Sequence, residues 1–214
     1  MPRTLEATMP PAVHPVARTV AASALVILSP LLAVAALAVR LSSPGPAFYR
    51  AQRLGQRCDI FTMYKLRTMR TGTDAAGSVT TSSDDRITPI GRSLRRWKID
   101  ELPQLYNIAR GEMSFVGYRP EDPKYYALYP EDFTRVLTRA PGITGAATLR
   151  YSQEERLLAD LGFQSPEDLE EYYRTRLLPD KLSTEVSYLA NRSTWSDTLL
   201  VLRTLGSLAG RSRA

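Results

Sequence analysis

The most prominent apolar stretch of the chain has no helical or strand period. From Thr19 to Val39, "TVAASALVILSPLLAVAALAV" runs 21 residues without a charge, between Arg18 and Arg40. A helix of that length crosses the hydrocarbon core of a bilayer. Pro30 falls near its middle, where it removes a backbone donor and crowds the carbonyl of Val26, so the pattern predicts a kink or break there. Ser29, just before it, is placed to satisfy a freed backbone group. Arg18 on one side and Arg40, Arg50 and Arg53 on the other give no crossing direction. A helix-break-helix that enters and leaves on one face and a single spanning helix both fit. A secretory signal is a weaker fit, because its apolar region would be too long.

After the turn "SSPGP" (Ser42 to Pro46), the pattern predicts short strands around Gly55, with Phe61, Met63 and Leu66 as apolar partners. Residues 71–85 are rich in Gly, Ser and Thr and read as a polar loop, a lid or an exposed excursion. From Ile90, Leu94, Trp97, Ile99, Leu102, Leu105, Tyr106 and Ile108 follow three- and four-residue spacing up to Gly111, which predicts a helix closed by that glycine. Further helices are expected over 125–139, about 166–178 and 184–191. A last one has Ser196 as its N-cap and Leu199, Leu200, Leu202 and Leu205 on one side, either in a membrane interface or against the core. The class is α+β, predominantly helical.

Composition narrows the chemistry. Lys and Arg number 28 against 22 Asp and Glu, which favours anionic partners. One cysteine, Cys58, and one histidine, His14, exclude an internal disulfide, a zinc site and a Ser-His-Asp triad. No nucleic-acid module is visible.

Asp100 and Glu101 in "RRWKIDELPQL" have two readings. Asp100 suits the cap of a helix starting at Glu101, with Pro103 in its first turn. Beside Arg95, Arg96 and Lys98, an ionised carboxylate also suits a nucleophile, and its neighbour a ligand for a divalent cation. Lys65 and Arg67 in "YKLRTM" stand two apart, on one face if the segment is a strand, where they could grip a phosphate or form a solvated edge. "GYRP" fixes Arg119 in a turn, and "PGITG" reads as a turn.

In order, "SPGPAFYRAQRLG", "MYKLRTM", "DDRITPIGRSLRRWKIDELPQLYNIARGEMSFVGYRP" and "PGITG", behind an apolar stretch holding "SP", closely resemble the bacterial sugar transferase family, the monotopic polyprenyl-phosphate phosphoglycosyl transferases. The likeness runs from about residue 16 to 145 and weakens beyond. It implies transfer of a sugar 1-phosphate from a UDP-sugar to polyprenyl (undecaprenyl) phosphate with release of UMP, a first membrane step in glycan or exopolysaccharide synthesis. The resemblance makes Asp100 the nucleophile of a covalent aspartyl-phosphosugar intermediate. It also makes Asp100 and Glu101 the neighbourhood of Mg2+, and Lys65, Arg67, Arg95 and Arg119 binders of substrate phosphate. It makes Ser29 and Pro30 the break of a re-entrant membrane helix over 16–41, following a tail over 1–15. Residues 42–214 then form a catalytic domain with interfacial helices on the cytoplasmic face of the bacterial inner membrane, in contact with one leaflet, with a homodimer left open. The chain departs from the family pattern at Tyr118, where a proline is usual, at Lys98, and in "HPVARTVA", directly ahead of the apolar stretch, which holds no carboxylate. The rival readings are a membrane-anchored protein that binds anionic lipid or nucleotide, and a Mg2+-dependent phosphohydrolase.

Overall fold

The computed structural model describes residues 13–72 and 79–210. Most of the expected N-terminal tail and the centre of the polar loop lie outside them. The apolar stretch forms one 28-residue helix, α1 (Pro15–Ser42), about 42 Å long at 1.5 Å per residue. It stays helical through Pro30, so the expected interruption is not a break in the helix. The hydroxyl of Ser29 donates to Val26 O at 2.7 Å, the carbonyl that Pro30 deprives of its usual donor. α1 is long and apolar enough to cross a membrane, and only 17% of its most apolar 18-residue stretch is buried.

β1 (Phe48–Leu54) and β2 (Ile60–Leu66) form the antiparallel hairpin expected around Gly55, with Tyr49 opposite Lys65 and Ala51 opposite Met63. The single helix expected from Ile90 to Gly111 is divided. α2 (Pro89–Arg96) begins at Thr88, whose hydroxyl accepts from Gly91 N at 3.0 Å. Lys98 then takes a left-handed conformation (φ 55°), and a 3-10 turn over Ile99–Glu101 leads into α3 (Gln104–Arg110). Gly111 ends α3 in the left-handed conformation its missing side chain permits (φ 85°).

Two three-residue strands, β3 (Ser114–Val116) and β4 (Gly142–Thr144), pair in parallel. Between them lies α4 (Pro130–Val136), preceded by a 3-10 stretch over Pro123–Leu128 in place of one longer helix. α5 (Ala146–Arg150), α6 (Glu154–Asp160) and α7 (Pro166–Tyr172) follow. The two helices expected after Pro166 run together. α7 passes through a wide π turn over Tyr173–Leu177 into α8 (Leu178–Ala190), and Pro179 directly follows that turn. α9 (Thr194–Gly210) starts on a reciprocal pair: Ser193 Oγ accepts from Ser196 N, and Ser196 Oγ from Ser193 N.

Three apolar clusters hold these parts. The first half of α1 (Ala21, with Ala24, Leu25 and Leu28) packs with Ala51, Met63, Leu105, Ile108 and Met113. The second half (Leu32, Ala35 and Val39) packs with Leu66 and Leu94. Tyr118, Phe133, Leu137, Leu158, Leu178 and Leu182 form the third. The turn carrying Asp100 lies between the helices of the first two clusters, and the loop carrying Arg119 is anchored in the third.

Candidate active site

Four segments converge on the Asp100–Glu101 turn. Lys65 comes from the end of β2, Arg95 from the last turn of α2, Lys98 from the left-handed break, and Arg119 from the loop after β3. That loop is braced by the β4 segment. Gly117 N donates to Thr144 O and Gly142 N to Tyr118 O, both at 2.9 Å, and a Cβ on Gly117 would lie 2.7 Å from Ala140 O. Tyr118 explains its departure from the family pattern: it is 2% exposed and packs edge-to-face on Phe133, 6.0 Å between ring centres, so it anchors the loop.

Glu101 is fully engaged. Arg119 grips it with two parallel bonds, Nη2 to Oε1 at 2.7 Å and Nη1 to Oε2 at 3.1 Å, and Lys98 Nζ donates to Oε1 at 3.2 Å. Burial alone would raise its pKa, but Arg119, then Lys98 and Lys65, outweigh this and hold it well below the usual carboxylate range. Asp100 is the opposite case. It is 5% exposed, and its Oδ1 is buried with no hydrogen-bond partner among the described residues. Burial, then the charge of Glu101, raise its pKa against the pull of Lys65, Lys98 and Arg95. The capping reading of Asp100 is overturned, because it lies inside the 3-10 turn and α3 begins at Gln104 with no side-chain cap.

Lys65 is half-buried and makes no ion pair among the described residues. Burial, then Arg119, lower its pKa to about 8, against the pull of Glu101 and Asp100. Arg95 spans Thr68 Oγ1 (2.9 Å) and Glu155 Oε1 (3.1 Å). Arg67 does not join the group. Its guanidinium donates to the carbonyls of Val39 (3.3 Å), Ser43 (2.7 Å) and Pro44 and to Ser43 Oγ (3.0 Å), closing the C-terminus of α1. The phosphate-binding assignment of Arg67 is therefore corrected. It lies just past the end of β2, where the alternation that would align it with Lys65 no longer applies.

The divalent-cation expectation also divides. Among the described residues no three His, Cys, Asp or Glu side chains group as a metal site. Mg2+ needs only one or two carboxylates beside substrate phosphates, and the unpartnered Oδ1 of Asp100 fits that role. Glu101 already accepts from Arg119 and Lys98, so a cation there would share its oxygens with them.

Sequence reasoning missed Gln104. It is fully buried, and both atoms of its amide are without a partner among the described residues. Its spacing of four from Asp100 puts the two on one face of the helical run, a signal that was present in the sequence. Glu155, the partner of Arg95, lies 60 residues away and had no local signal.

The family model for bacterial sugar transferases matches residues 14–211. The chain belongs to the bacterial sugar transferase family. A Caulobacter vibrioides protein named UDP-glucose:undecaprenyl-phosphate glucose-1-phosphate transferase is 41% identical over 187 residues, covering 85% of this chain and 64% of that protein. An exopolysaccharide production protein of Rhizobium leguminosarum is 36% identical, covering 89% of this chain and 92% of that protein. A UDP-N-acetylgalactosamine-undecaprenyl-phosphate N-acetylgalactosaminephosphotransferase of Aeromonas hydrophila is 30% identical, covering 86% and 40%. The chain thus spans less than two thirds of the Caulobacter and Aeromonas relatives and nearly all of the Rhizobium one. The family match covers every residue of the converging site.

Proposed function

We propose that this chain moves a sugar 1-phosphate from a UDP-sugar to polyprenyl phosphate, with Asp100 as a covalent relay. The observation that carries this is the asymmetry of the adjacent pair: Glu101 is tied to Arg119 and Lys98, while Asp100 Oδ1 is buried and unpartnered beside Lys65. A carboxylate whose pKa is raised and whose oxygen is not tied down is the better nucleophile of the two. The names of the Caulobacter and Aeromonas relatives supply the substrate class.

In the first step an oxygen of Asp100 attacks the phosphorus bonded to the sugar. The bond from that phosphorus to the bridging oxygen breaks, and UMP leaves with the electron pair. In the second step a phosphate oxygen of the lipid attacks the same phosphorus, the aspartyl bond breaks, and Asp100 is regenerated. Lys65, Arg95 and Arg119 present cationic groups to the reacting phosphates, and Glu155 and Glu101 fix the two guanidinium groups before the substrate arrives. Mg2+ held beside the Asp100–Glu101 turn would supply neutralisation of diphosphate charge.

The chain works from one membrane face. Two contacts support this. Arg18 Nε near the start of α1 donates to Ala109 O of α3 at 3.0 Å, and Arg67 closes its end. Both ends of the helix are tied to one protein body, whereas a straight crossing would separate them by about 30 Å of hydrocarbon. On this reading α1 lies within a single leaflet, at the inner membrane's cytoplasmic side, where UDP-sugars are available.

The test is purified protein with Mg2+, a UDP-sugar panel and undecaprenyl phosphate. Asp100→Asn should lose at least about 1,000-fold in turnover and fail to retain label from a sugar-phosphate donor, while staying folded and membrane-bound. Near-normal turnover in this variant would refute the relay, and lipid-independent UMP release with continuous turnover would identify a hydrolase.

A further inference from the structure

Just beyond Arg119, the side chain of Glu121 joins a buried ionic cluster that neither transfer step uses. At its centre is Lys181 of α8, which is 4% exposed. Its ammonium donates to Glu121 Oε1 at 2.9 Å and to Tyr173 Oη at 2.9 Å, and pairs with Glu154 Oε2 at 3.3 Å. Tyr173 Oη donates in turn to the same Glu121 oxygen at 2.7 Å. Burial alone would lower the pKa of Lys181, but Glu121 and then Glu154 outweigh it and keep the ammonium charged.

The wide turn ahead of α8 makes this cluster possible. In an unbroken α-helix, residues eight apart point about 80° away from each other around the axis. The π turn over Tyr173–Leu177 takes up one extra residue, so Tyr173 and Lys181 lie within about 20° of one line. Such turns are rare and recur at functional sites. Tyr173 also belongs to the apolar cluster of Leu158, Leu178 and Leu182, where apolar side chains of similar volume would pack at no loss of stability. A buried ammonium is therefore not there for packing alone.

Both carboxylates lead back to the site. Only Pro120, with its fixed backbone dihedral, separates Glu121 from Arg119, and Glu121 O accepts from Leu54 N at the end of β1 at 3.0 Å. Glu154 opens α6, and the next residue, Glu155, holds Arg95 at 3.1 Å. The charges of Glu121 and Glu154 also reach Arg119 itself.

We propose that Lys181 is a positioning residue for the donor diphosphate: it ties the Arg119 loop to the start of α6 and so sets the spacing between the guanidinium groups of Arg119 and Arg95. This rests on the transferase reading above. It adds that a buried residue with no access to substrate controls how tightly the donor is held.

The test uses the full chain in nanodiscs. Lys181→Met alone strands two carboxylates near Arg119, so it is paired with the double variant Lys181→Met, Glu121→Gln, which removes one charge of each sign. Leu182→Ala, a truncation in the neighbouring apolar cluster, is the packing control. In single-turnover release of UMP without acceptor, the UDP-sugar concentration for half-maximal rate should rise about tenfold in the double variant and stay at the wild-type value in Leu182→Ala. The double variant should nevertheless melt closer to wild type than Lys181→Met does. Wild-type donor affinity in the double variant, or an equal loss in Leu182→Ala, overturns the positioning role. A second readout needs no substrate: the guanidinium NMR signals of Arg95 and Arg119 in arginine-labelled protein should both shift in the double variant and in neither case in Leu182→Ala. Shifted signals in a protein whose wild type releases no UMP would sink the transferase reading and leave the brace standing. Unmoved signals would sink the brace whatever the activity.

Discussion

Asp100 and Glu101 are adjacent carboxylates in one turn, with opposite electrostatic fates. The fork of Arg119 and the ammonium of Lys98 take both oxygens of Glu101, which keeps it ionised and makes it a scaffold for Arg119. Asp100 keeps a free oxygen at the cost of burying it unpaired, an expense of roughly 1–3 kcal/mol that a purely structural residue would not require. Lys65 makes the same trade. Its pKa of about 8 lies below the value it would have in the unfolded chain, so its charge opposes folding below pH 8, and this penalty fades as pH rises from 8 toward 10. Lys65→Met should therefore raise the stability of the protein at pH 7 by about 1 kcal/mol, allowing for the solvent that reaches this half-buried group. The gap from wild type should narrow between pH 8 and 10 in thermal melts. The same variant should raise the KM for the UDP-sugar and remove its pH dependence. In wild type that KM should climb above pH 8 as Lys65 loses its proton, and a flat wild-type profile from pH 7 to 9 would rule out a role for its charge in donor binding.

Among the elements, α1 depends on a residue from the hairpin. With four contacts from Arg67 to its last carbonyls and to Ser43, the end of the helix is closed by a charged side chain rather than by a glycine. Arg67→Met should lower stability by about 1–3 kcal/mol while leaving the KM for the UDP-sugar unchanged. A raised KM with an unchanged melting temperature would return Arg67 to substrate binding. The hairpin around Gly55 and the end of α3 at Gly111 were legible in the sequence, because a strand turn and a left-handed helix end both demand particular residues locally. The break between α2 and α3 was not. Leu94, Trp97, Ile99 and Leu102 keep helical spacing through it, and Lys98 carries no local mark of its left-handed backbone, which in a non-glycine residue costs roughly 1–2 kcal/mol. That break is what lifts Asp100 out of the cap position and into the centre of the site.

For the whole molecule, the docking of both ends of α1 on one body leads to a topology that can be measured. With Cys58 replaced by serine, single cysteines at Leu5→Cys and Ile60→Cys should both react with a membrane-impermeant reagent from the cytoplasmic side only. Labelling from opposite sides would establish a spanning helix. The exposed apolar positions of α9, including Trp195 at 75%, lie on the same chain as a buried Leu200, so this helix both packs on the domain and presents an apolar face. The sequence alone determined the apolar helix and its proline, the hairpin, the acidic pair and the set of cations available to it, because each depends on residue type and short-range spacing. Only the tertiary structure decided which cation serves which anion. Arg67 went to the end of α1, Arg119 and Lys98 to Glu101, and Arg95 to Glu155, leaving Lys65 beside an unpaired Asp100. The physical reason is that a guanidinium or ammonium reaches several anions of equal chemical merit, and the choice is made by distance and burial, which exist only once segments far apart in the chain are packed together.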